Sequence, residues 1–114
     1  MGELPIVELR DSSLLTEMEH KKLLHNTGIA HLVKHTLPPA KQGLKFTFGN
    51  LAANQTMNVY AQPTNFIADA AAKSAKGGRI MSVAGAIAGL VVSLVCITLG
   101  QWSVVEKTGT WTTH

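Results

Sequence analysis

The chain has 114 residues, enough for one domain, and only 15% of them are charged, against about 25% in an ordinary soluble domain. The formal charge of +3 is unevenly spread, because Glu106 and Lys107 are the only charged residues after Arg79. A single cysteine, Cys96, excludes an intrachain disulfide framework, and residues 1–6 lack the basic and apolar stretches of a cleavable signal peptide.

Residues 1–36 read as an acidic arm leading into an amphipathic helix. Glu3, Glu8, Asp11, Glu17 and Glu19 outweigh Arg10, and Asp11, Ser12 or Ser13 can cap a helix over 13–35. Its apolar stripe is Leu14, Leu15, Met18, Leu24, Ile29 and Leu32, which is broad enough to require a protein partner. His20, His25, His31 and His35 share this segment. His31 and His35 have the i, i+4 spacing of a metal pair, but His20 and His25 point elsewhere and no cysteine joins them. They read as ordinary histidines, and no metal or cofactor is expected.

Residues 37–63 form a Pro-bounded segment, opened by Leu37-Pro38-Pro39. Leu44, Phe46 and Phe48 alternate with Lys45 and Thr47, the period of a strand. Gly49-Asn50 marks a turn, and residues 57–61 supply a second strand, so the segment is predicted to be a hairpin or an extended arm. Residues 64–79 are Ala-rich and predict a juxtamembrane helix, joined through Gly77-Gly78 to the apolar stretch after it. Between His20 and Arg79 the basic residues are opposed by Asp69 alone. Without interleaved aromatics this balance does not point to nucleic acid, and an anionic lipid surface suits it better.

Residues 80–100 carry the strongest signal. Twenty of them, from Ile80, carry no charge, Asn, Gln or Pro, and as a helix they would extend about 30 Å, the thickness of a hydrocarbon core. Lys73, Lys76 and Arg79 precede this span and Trp102 lies beyond it as an interfacial anchor. The expected fold is therefore mainly α: a single-pass, tail-anchored integral membrane protein, its N-terminal region on the cytoplasmic side and its short tail, 101–114, on the far side.

Within the span, Ser82, Gly85, Gly89, Ser93, Cys96 and Gly100 recur at helical spacing, and Gly85 and Gly89 form a GxxxG motif. This stripe is expected to pack against another membrane helix, of a second copy or of a different protein. Cys96 in mid-span is a packing residue rather than a nucleophile, and no residue set supports an enzyme. The chain is thus expected to be a non-enzymatic structural or accessory subunit that anchors a larger assembly, such as a membrane complex or membrane-containing virion. The alternatives are a self-associating membrane-active protein (pore former, holin-like protein or fusion regulator) and a tail-anchored adaptor.

Overall fold

The computed structural model describes residues 6–9, 13–26, 34–50, 56–70, 72–82 and 90–114. They form two packed β-sheets. The chain lays β1 (Ile6–Leu9) in one sheet and β2 (Ser13–Leu14) in the other, and after a 3-10 turn at Glu17–Glu19 it repeats the movement. Thus β3 (Leu23–Asn26) returns to the first sheet and β4 (Lys34–Thr36) to the second, followed by β5 (Lys45–Asn50) and β6 (Met57–Tyr60). Strands β1, β3 and β5 are mutually parallel, as are β2, β4 and β6. Parallel neighbours need a long crossover, usually a helix. Here the crossover is a strand of the opposite sheet, so the first half of the chain winds through three flattened coils.

The second half closes this stack mainly with antiparallel pairs. In the first sheet β10 (Leu90–Thr98) and β11 (Gln101–Lys107) form a hairpin beside β5. Next to β11 lie β7 (Phe66–Asp69), parallel to it, and β8 (Ala72–Lys73). In the second sheet β9 (Arg79–Ser82) pairs with β6, and β12 (Thr112–Thr113) pairs with β9. The two orders are β1-β3-β5-β10-β11-β7-β8 and β12-β9-β6-β4-β2.

The core follows from alternation along these strands. Phe46 and Phe48 point inward from β5 and are fully buried, while Lys45 on the same strand is exposed. Their partners across the ladder, Leu94 and Val92, face the same interior. Trp102 of β11 is also fully buried and meets Phe46 edge to face, ring centroids 5.5 Å apart. The second sheet contributes Met57, Val59 and Ile80, and Trp111 closes that side. Each such side chain stabilises the fold by about 1.5–3 kcal/mol through lost contact with water. One buried polar bond spans the layers: Asn50 Nδ2 of β5 donates to Ser82 Oγ of β9 at 2.5 Å.

This architecture overturns the mainly α, single-pass expectation. The apolar run from Ile80 is divided between β9, in one sheet, and β10, in the other; residues 83–89 lie outside the described residues. Along β10 the inward positions Val92, Leu94 and Cys96 are buried, and the positions alternating with them, Ser93, Val95 and Ile97, carry no charge either, so the strand reads as one uncharged run. Its Val91, Val92, Val95, Ile97 and Thr98 are β-branched, which favours the extended backbone. No helix among the described residues is long and apolar enough to cross a membrane. The transmembrane, tail-anchored and two-sided placement of the chain falls with it.

The described residues of the two other predicted helices form short strands and turns. Over 13–35 the helical spacing of Leu15 and Leu24 is produced by two segments that meet the core from opposite sheets. The Ala-rich stretch 64–79 contains β7, β8 and the start of β9, and Ala70 takes a left-handed φ of 53° that stops any helix there. Between 37 and 63 the two predicted strands exist as β5 and β6, but they enter different sheets and form no hairpin.

Candidate docking surface

The winding places the described loops that lead from the second sheet back to the first at one end of the molecule. Strands β3 and β5 both start there, β10 ends there and β11 starts there, because β10 is antiparallel to both of its neighbours. In the other sheet β6 ends there, since residues 61–65 lead from it into β7, whose Phe66 N–H donates to the Gly100 carbonyl. We call this the lower end. It consists of residues 15–22, 37–44 and 61–65 together with the turn at Leu99 and Gly100.

These loops are fastened to one another. The buried Asn65 side chain accepts from Ala40 N–H at 3.0 Å, and Gly100 N–H donates to the Ala40 carbonyl at 3.3 Å. Gln62 Nε2 donates to the Leu37 carbonyl at 2.9 Å, and Gln42 Nε2 to the Ile97 carbonyl at 3.0 Å. Lys41 and Glu17 form an exposed ion pair at 3.0 Å that bridges the 3-10 turn and the second loop. Exposed pairs of this kind add little stability. Gly100, with φ of 83°, makes the hairpin turn that a side chain would strain.

On this fixed base stand large apolar side chains. Leu14 is 70% exposed, Met18 78%, Ile97 60% and Leu99 73%. A groove of about 260 Å³ is lined by Leu14, Leu15, Pro38 and Pro39 together with Glu17 and Gln62. Scattered apolar residues are normal on a surface, and what distinguishes Leu14, Met18, Ile97 and Leu99 is that they stand at the same end of the molecule.

Of the residues expected to face a partner, Leu14 and Met18 do stand exposed at this end, whereas Leu15 and Leu24 are buried in the core. Ile29 and Leu32 lie outside the described residues. Of the small-residue stripe, Ser82 is in the second sheet, Ser93 and Cys96 are in the first on opposite faces of β10, and Gly100 is in the turn. Gly85 and Gly89 fall outside the described residues. Burial pushes the Cys96 thiol pKa up, so it stays protonated.

The expected membrane-surface basic residues take separate places. Lys73 lies over the Phe66 ring, Lys76 is exposed in the turn before β9, and Arg79 donates to the Tyr60 hydroxyl at 2.8 Å. Trp102, expected as an interfacial anchor, is a core residue. Among the histidines, His35 is buried, His20 Nδ1 accepts from Lys45 N–H, His25 is half-buried and His31 lies outside the described residues. Sequence reasoning passes over Ile97 and Leu99 as surface residues, because it places both in the lipid span. The signal for them is Gly100, a turn residue directly after a β-branched run.

No family model matches the chain, and no curated protein matches it in sequence.

Proposed function

We propose that this chain is a non-enzymatic structural subunit of a larger protein assembly, seated against a neighbouring protein subunit through its lower end. The observation that carries the reading is the exposure of Leu14, Met18, Ile97 and Leu99 at one end of the molecule, where the loops are tied to one another by hydrogen bonds. A pre-ordered apolar surface loses little conformational entropy on docking, which is what a permanent contact requires. Polar groups accompany the apolar ones, as they do in protein interfaces: Glu17 and Gln62 line the same groove, and Glu17 pairs with Lys41.

The test is the native mass of the full chain taken from its source, with co-purifying chains identified, for wild type and for the double variant Met18→Asp, Leu99→Asp. Both residues are exposed, so the variant keeps the fold and its melting curve. The expected outcome is a particle of defined stoichiometry with the wild type and a free chain with the variant. A wild type that is monomeric, or a variant that stays in the particle, overturns the reading.

A further inference from the structure

The outer face of the first sheet carries a cleft of about 380 Å³, lined by Lys21, Lys45, Thr47, Ser93 and Glu106. Three adjacent strands build it. Thr47 of β5 pairs with Ser93 of β10, and Ser93 pairs with Glu106 of β11, so the three side chains form one row across the sheet. Immediately after this row the β10–β11 register shifts, since Leu94 pairs with Val104 and leaves Val105 as an extra residue. Bulges of this kind re-aim side chains and recur beside binding sites. Lys21 closes the cleft from the loop before β3, where its N–H donates to the Lys45 carbonyl and its backbone adopts a left-handed φ of 60°. A lysine held in that conformation is strained, and such strain gathers at functional sites.

The chemistry of the lining is selective. Among the described residues, neither lysine forms an ion pair with Glu106 or with any other carboxylate, so two ammonium groups remain for an anion. Ser93 is 1% exposed and forms the floor, its hydroxyl 3.0 Å from that of Thr47. Two hydroxyls joined by one hydrogen bond keep one hydrogen to donate. Glu106, when ionised, only accepts, and it therefore requires a ligand with donors of its own. A bare anion satisfies the lysines and is repelled by Glu106. A neutral polyol satisfies Glu106 and leaves the lysines unused. We infer that the cleft on β5, β10 and β11 binds a sugar acid, its carboxylate held by Lys21 and Lys45 and its ring hydroxyls by Glu106 and the Thr47–Ser93 pair. The cleft volume lies within the usual range of small-ligand sites.

The experiment is calorimetric titration of the full chain with galacturonate, galactose and inorganic phosphate. Galacturonate is expected to bind saturably, with galactose and phosphate each at least about tenfold weaker, as loss of a charge-assisted contact implies. Lys45→Thr and Lys21→Gly should each weaken galacturonate binding by about tenfold while melting as the wild type does or higher, glycine being at ease at φ of 60°. Absence of saturable binding overturns the assignment. So does equal affinity for galactose or phosphate, which would show that carboxylate or ring is not read, and so does unchanged affinity in both variants.

Discussion

His35 is fully buried in β4, with Val59 as its partner on β6, and desolvation there lowers its pKa from 6.5 to about 4. The folded chain therefore holds this imidazole neutral where the unfolded chain protonates it. Between pH 6.5 and 4 the unfolded state binds the additional proton, so stability falls as pH drops through that window and levels off below it. The loss should approach about 3 kcal/mol. Denaturant unfolding at pH 7 and at pH 4 measures it, and a His35→Leu variant should lack that part of the dependence. If wild type and variant show the same difference between the two pH values, His35 is not its source. The histidine's position in the sequence carries no sign of this. His20, His25, His31 and His35 are alike as letters, and only a strand that turns one of them into the core distinguishes it.

At the scale of elements, the two sheets are held by apolar contact and by the buried bond from Asn50 to Ser82. Removing that acceptor deletes one buried hydrogen bond, so Ser82→Ala should cost about 0.5–1.5 kcal/mol, read as a lower denaturation midpoint with unchanged slope. A shift under about 0.5 kcal/mol would show the bond to be replaceable. This pair also shows what was legible in the sequence. The alternation of Phe46 and Phe48 with charged or hydroxylated neighbours is a local property, and β5 uses it directly. The apolar run after Ile80 is ambiguous by itself, since a lipid-facing helix and an inner strand both exclude charge. Its β-branched content and Gly100 favour the strand, but its length weighs the other way. Partners were not legible at all: that Asn50 meets Ser82, or that Thr47, Ser93 and Glu106 share a row, depends on register between distant segments.

For the whole molecule, the same topology explains why the lower end is well formed. Each coil delivers one loop to it, and the loops hold one another through Asn65, Gln62 and the Ala40 backbone. The alternating course of the chain has a further consequence, for the order in which the protein becomes a protein. Every coil gives one strand to each sheet, so neither sheet is a contiguous stretch of sequence, and the inner strands β10 and β11 come after most of the strands they join. While the chain is being synthesised, β5 and β6 stand with one open edge each until residues 79–107 arrive. Contacts this distant make folding slow, on the order of milliseconds to seconds, and all-or-none. A fragment ending at residue 82 should accordingly show no cooperative melt by circular dichroism, whereas a cooperative melt would reveal a half that folds alone. Until β9 covers β6 and the hairpin of β10 and β11 covers β5, the growing chain is a template with open edges, and its safety in a crowded cell rests on how quickly the ribosome delivers about thirty residues.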